Sequence, residues 1–145
     1  MNKLIETIDL TKVYGEKETS VTALNSITTA FNENQFTAIM GPSGSGKSTL
    51  LHCLAGLDKV TSGSILINGI DLASLNDKEL TKMRRDSFGF VFQAFNLIPT
   101  LTAEENITLP SSIAGRKPED EWVEQVINAM DIGDRLGHSP NELSG

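Results

Sequence analysis

At 145 residues, with 39% apolar and 21% charged side chains, the sequence has the balance of one folded domain and not that of a disordered or collagen-like chain. Nineteen acids against twelve bases leave a net charge of −7, which opposes sequence-independent attachment to a phosphate backbone, so no nucleic-acid partner is expected. No apolar run approaches the roughly 20 residues that span a bilayer, no export signal opens the chain, and the single Cys53 closes no internal disulfide; a reducing, cytoplasmic setting is expected.

In chain order, the apolar run Phe36 to Met40 predicts a buried strand that ends directly in a glycine-rich turn, Gly41 to Gly46. Ser48 to Ala55 follows with Leu50, Leu51, Leu54 and Ala55 on one helical stripe, closed by Gly56. Ser64 to Ile67, Asn68-Gly69 and Ile70 to Leu72 read as a hairpin, because Asn-Gly accepts the positive φ angles of a tight primed turn. An antiparallel part is therefore expected beside a parallel core. Asn76 with Glu79, and Thr102 with Glu105, have the spacing of capping boxes and predict two helix starts. Phe88 to Phe92 between them reads as a second buried strand. A further helix is expected from Pro118, burying Trp122, Val123, Val126, Ile127 and Met130 before Gly133. From Glu104 onward nine acids face three bases, a solvated face or a docking surface for a basic partner.

The strongest chemical feature is Gly41-Pro42-Ser43-Gly44-Ser45-Gly46-Lys47-Ser48, which fits G-x-x-x-x-G-K-[ST] between a predicted strand and a predicted helix. Chance would place such a match in a chain of this length roughly 0.5% of the time, so the motif is specific. The glycines let the backbone wrap phosphate oxygens with its N–H groups inward, and the helix adds its positive dipole end. Lys47 is expected on the β- and γ-phosphates of a nucleoside triphosphate, and the Ser48 hydroxyl on Mg2+. Gly41 to Ser48, with the adjoining Thr49, form the expected triphosphate-binding set.

With these residues the sequence resembles, over essentially its whole length, the nucleotide-binding subunit of ATP-binding cassette (ABC) transporters. The resemblance implies an α/β P-loop NTPase fold with an antiparallel β part and a helical subdomain, divided as 1–93 and 94–145. It implies that Tyr14, in Lys12-Val13-Tyr14-Gly15, stacks on adenine, plain packing being the other reading of this lone tyrosine. Gln93 matches the family's Q-loop glutamine, which reaches the metal and the attacking water, and is carried over with Lys47 as catalytic. Leu143-Ser144-Gly145 matches the opening of the signature that binds the γ-phosphate held by the opposite subunit.

The run Gly56 to Gly63, with Val60 where the family commonly has proline, and the run Phe88 to Pro99 continued by Leu101-Thr102 and Glu105-Asn106-Ile107 resemble the macrolide-exporter and lipoprotein-release ATPases. The resemblance implies an ATPase powering export or extraction of a peptide, antibiotic or lipoprotein. Its partners would be a membrane permease and a second ATP-binding subunit, and its place the inner face of the cell membrane. Phe95, Leu97 and Ile98 are expected to grip a helix of the permease, with core packing as the alternative.

The family's later metal-facing aspartate, catalytic glutamate and switch histidine have no counterpart before Gly145. The sequence therefore reads as the front part of a longer cassette, incomplete at its C-terminus, with little steady turnover of its own and with apolar surface exposed beside Phe36 to Met40. Asp71, Asp77 and Asp86 read as solvated turn or helix residues, and His52 and His138 as packing or surface residues. A nucleotide-binding chain without turnover and a soluble, non-transport cassette ATPase are the rival readings. A GTPase is disfavoured because Asn76-Asp77-Lys78-Glu79 has the wrong order for guanine recognition.

Overall fold

The computed structural model describes residues 2–92 and 94–143, and the chain divides into two compact units, Met1–Phe88 and Gly89–Gly145. Gln93, Ser144 and Gly145 lie outside the described residues.

The first unit is built on a four-stranded antiparallel sheet in the order β2-β1-β3-β4, from β1 (Lys3–Tyr14), β2 (Val21–Asn32), β3 (Ser62–Ile67) and β4 (Ile70–Asp71). The long β1–β2 hairpin is absent from the expectations above. Its density of Ile, Val and Thr is the feature that marks it, but bulges break the alternation. Asp9 and Ser26 adopt φ of 48° and 51° there, and the register shifts between Thr7 and Leu10. The Asp9 carboxylate accepts from the Ser26 hydroxyl at 3.1 Å, while the Asp9 amide donates to the Thr28 hydroxyl at 2.9 Å. Local side-chain bonds thus replace the ladder bonds that the bulge removes.

The β3–β4 hairpin turns as predicted at Asn68 and Gly69, with φ of 49° and 79°. Helix α1 (Lys47–Leu54) follows the glycine-rich loop and ends with Ala55 as cap and Gly56 at φ 64°. Its Cys53 and Leu54 join Leu10, Leu24, Ile65 and Ile67 in one buried cluster against the sheet. Leu51, on the predicted stripe, is instead exposed. Buried Thr7 is satisfied, its hydroxyl accepting from the Thr29 amide at 3.0 Å. Helix α2 (Asp77–Ser87) starts at the predicted Asn76–Glu79 capping box, and the Arg84 guanidinium donates to the Gly56 carbonyl at 2.7 Å, tying α2 to the end of α1.

Phe36 to Met40 is not a strand. No described segment pairs with it, and Phe36 and Met40 are 98% and 88% exposed. Strand composition is a local property, but the strand state needs a hydrogen-bonding neighbour. Apolar surface at this segment was expected to be exposed, and it is.

The second unit holds α3 (Ala103–Ile113) and α4 (Asp120–Met130). The Thr102–Glu105 capping box forms with both bonds in place, at 3.2 and 2.8 Å. Helix α4 begins two residues after Pro118 and stops before Gly133, because Asp131 takes the left-handed capping conformation at φ 54°. Of the five residues expected to be buried on α4 only Ile127 is; Trp122, Val126 and Met130 stand one above the other on an exposed stripe. Amphipathic spacing fixes which residues share a face, and not whether another element covers it. Residues 88–92 likewise form no strand: Val91 is 97% exposed, and Phe90 and Phe92 pack on each other with ring centroids 4.5 Å apart.

Candidate nucleotide-binding site

The glycine-rich loop runs from Gly41 to Gly46, the N-cap of α1. Gly46 has φ 85°, and a β-carbon there would stand 2.4 Å from the Ala23 carbonyl oxygen and 3.1 Å from the Leu24 side chain. Only glycine lets the loop press onto β2 in this way. Gly44, at φ 79°, faces open space, so its constraint is conformational alone.

Lys47 is the first residue of α1. Its ammonium turns back over the loop and donates to the carbonyl oxygens of Gly41 at 2.9 Å and Pro42 at 2.7 Å, with the Ser45 hydroxyl at 3.4 Å. The cation is therefore held over the cradle that the loop encloses, at the positive end of the helix. Ser48, the next residue, is exposed. Its hydroxyl is a hard oxygen donor beside that cradle, and so fits a Mg2+ whose other ligands are phosphate oxygens and water.

Tyr14, at the end of β1, reaches α1. Its hydroxyl donates to Asp58 Oδ2 at 2.5 Å, and Lys12 Nζ donates to Asp58 Oδ1 at 2.6 Å and to the Lys59 carbonyl at 2.7 Å. The Lys12 ammonium also lies 4.6 Å from the Tyr14 ring centroid, covering one face of the ring. The hydrogen bonds from Lys12 and then from Tyr14 hold the Asp58 carboxyl below its ordinary value of 3.8. The bond to Asp58 raises both Lys12 and Tyr14 above theirs, while a bond between the Tyr14 hydroxyl and Thr49 pulls the phenol the other way. Thr49, two residues beyond Lys47, thus connects the tyrosine to the helix that carries the loop. Lys12 and Asp58 are functional candidates that the sequence reading missed, since nothing local pairs residues 46 apart.

In the second unit Phe95, Leu97 and Leu143 line a groove of about 1150 Å³ together with Met130, Ile132 and Arg135. Ile98 does not line it. Its backbone is instead clasped by Asn106, whose Oδ1 accepts from the Ile98 amide at 2.8 Å and whose Nδ2 donates to the carbonyls of Ile98, Leu101 and Thr102 at 2.9 to 3.2 Å. Asn106 is thus the residue that shapes the groove-side loop.

The expected nucleotide contact Gln93 and the signature residues Ser144 and Gly145 lie outside the described residues. Asp71 caps a short 3-10 turn by accepting from the Ala73 amide, Asp77 opens α2, and Asp86 pairs with Arg85 at 2.9 Å. The His138 carbonyl accepts from the Ala103 amide, and its Nδ1 is buried with no partner among the described residues. No group of three His, Cys, Asp or Glu side chains among the described residues is placed to hold a metal ion, and no helix among them is long and apolar enough to cross a membrane.

Comparison with known proteins gives a consistent result. A family model described as ABC transporter matches residues 24–145. The macrolide export ATP-binding/permease protein MacB of Marinobacter nauticus is 44% identical over 144 residues, which are 98% of this chain and 22% of that protein. The lipoprotein-releasing system ATP-binding protein LolD of Geobacter metallireducens is 44% identical over 147 residues, covering all of this chain and 65% of that protein. Among solved structures, the dimeric structure of the ABC transporter cassette MJ0796, from Methanocaldococcus jannaschii, matches with TM-score 0.85 and 42% identity, over 97% of this chain and 63% of that one. The same cassette bound to ADP and Pi in a post-hydrolysis state matches with TM-score 0.84. The chain spans less than two thirds of each of these relatives.

Proposed function

The chain belongs to the ABC transporter family and has the antiparallel sheet and helices of its P-loop cassette, and from that premise we propose that it binds ATP with Mg2+ in a subunit that powers a membrane transporter. The observation that carries the reading is the Lys47 ammonium, held on the carbonyls of Gly41 and Pro42 over a loop whose last glycine admits no side chain. A triphosphate entering the cradle exchanges those carbonyls for β- and γ-phosphate oxygens, which bond a cation more strongly. Residues 41–46 wrap the phosphates with backbone N–H groups, Ser48 ligates the metal, and Tyr14 stacks on the adenine beside Thr49.

Hydrolysis belongs to the assembled transporter, with Gln93 reaching the metal and water and Leu143, Ser144 and Gly145 meeting the γ-phosphate of a second ATP-binding subunit. In that assignment residues 1–93 carry the nucleotide core and residues 94–145 the helical subdomain. The likeness to MacB and LolD supports export or extraction of an antibiotic, peptide or lipoprotein, with the subunit working at the cytoplasmic face of the membrane. The groove lined by Phe95 and Leu97 is the site for a helix of the permease partner.

The test is titration calorimetry with MgATP. Lys47→Ala is expected to weaken binding at least about tenfold, the loss of a charged hydrogen-bonding group from the phosphates. Unchanged affinity overturns the assignment of the loop.

A further inference from the structure

We infer that Asp58, with Lys12, is a positioning pair that fixes the Tyr14 ring for purine recognition: one end of the ring is tethered through its hydroxyl, one face is covered by the ammonium, and the opposite face is left for the base. The inference rests on the reading of Tyr14 as the base-stacking residue and assigns that reading two residues it did not contain.

Three observations carry it. Asp58 uses both carboxylate oxygens, one on Tyr14 at 2.5 Å and one on Lys12 at 2.6 Å, so a single side chain sets the distance between ring and cation. Lys12 is anchored a second time on the Lys59 carbonyl and is buried, which holds its charge against the ring and not in solvent. Tyr14 itself stays 41% exposed, so the ring is held in place while surface remains available. A free tyrosine at a strand end samples several side-chain rotamers, and ordering it on binding costs affinity. Tethering its hydroxyl removes that cost before the nucleotide arrives. A cation on one face also draws electron density from the ring, which favours stacking of an electron-rich purine on the other.

The Asp58 side chain bonds Tyr14 and Lys12, neither of them in the loop at residues 41–48, so its loss is expected to act on the base. The experiment compares MgATP with magnesium inorganic triphosphate, which engages the phosphate loop alone, as ligands of the full protein. Asp58→Ala is expected to weaken MgATP about tenfold and to leave triphosphate affinity within about twofold. Tyr14→Phe, which keeps the ring and removes the hydroxyl with its bonds to Asp58 and Thr49, is expected to show the same pattern with a loss of about threefold, and remains informative if Asp58→Ala fails to fold. Equal loss of both ligands in Asp58→Ala, or parental MgATP affinity in Tyr14→Phe, overturns the inference. Tyr14→Ala separates it from the reading beneath: a loss with Tyr14→Ala but none with Tyr14→Phe leaves stacking in place without the tether, whereas parental affinity in Tyr14→Ala removes both.

Discussion

A β-carbon at Gly46 would lie 2.4 Å from the carbonyl oxygen of Ala23, so the glycine-rich loop is seated directly on the backbone of β2. Because α1 starts at the next residue, the position of Lys47 depends on that contact. Two glycines of the loop then separate conformational strain from steric exclusion. Gly44→Ala, at positive φ in open space, is expected to cost about 1–2 kcal/mol of stability. Gly46→Ala adds a backbone clash to the same strain and is expected to cost more, about 3 kcal/mol, and to weaken MgATP further. Urea unfolding of the two variants, followed by calorimetry, checks the order; equal costs would mean that the contact with Ala23 relaxes freely.

The ion pair beneath Tyr14 gives stability a defined pH dependence. Asp58 has its pKa lowered on folding, chiefly by Lys12 and next by Tyr14, so its contribution is complete above the unfolded carboxyl value and is lost as pH falls through the folded one. Lys12 has its pKa raised, so its contribution is present below the unfolded value and is lost as pH rises through the raised one. The stability gap between the parent and Asp58→Asn is thus expected to be steady near neutrality and to shrink on acidification towards about pH 3. Urea midpoints at the two pH values measure it. A gap that does not change places the stabilisation outside the charge of Asp58.

The Asn106 side chain closes four hydrogen bonds around the turn at residues 98–102, where the carbonyls of Ile98 and Thr102 also accept from the backbone amides of Leu101 and Asn106. Asn106→Leu keeps the approximate volume and removes every one. The expected cost is about 1–3 kcal/mol, because the Ile98 amide and the part-buried Leu101 carbonyl lose the side-chain partner, while the Thr102 carbonyl keeps the Asn106 backbone amide. Hydrogen exchange at the Ile98 amide is the direct readout, and protection equal to the parent's would show that Asn106 does not hold this loop.

Phe95 and Leu97 share the groove with Met130 and Ile132. A partner helix that buries apolar anchors there meets a charge in Phe95→Asp, and co-purification with the proposed permease partner is expected to fall at least about tenfold. Recovery of the partner at the parental level would place the docking surface elsewhere.

Much of the site is legible without the fold because it is local. The Asn68-Gly69 turn, the two capping boxes and the glycine-rich loop leading into α1 are each written in fewer than ten consecutive residues, and each lies where the sequence puts it. The strands read at residues 36–40 and 88–92 fail for the complementary reason. Their composition is local, but their pairing partner is not, and Phe36 and Val91 stand exposed. The hairpin of β1 and β2 went unread because bulges at Asp9 and Ser26 destroy the alternation that marks a strand.

The sequence by itself determined the glycine-rich loop, its lysine and its helix, since backbone conformation and charge are dictated there by glycine spacing and one cation. Only the tertiary structure decided how Tyr14 is held. Its partner Asp58 lies 44 residues away, brought near because β1 and α1 bury Leu10, Cys53 and Leu54 in one core. Burial of apolar side chains is non-directional and acts across any sequence distance, so it joins residues that no local pattern connects.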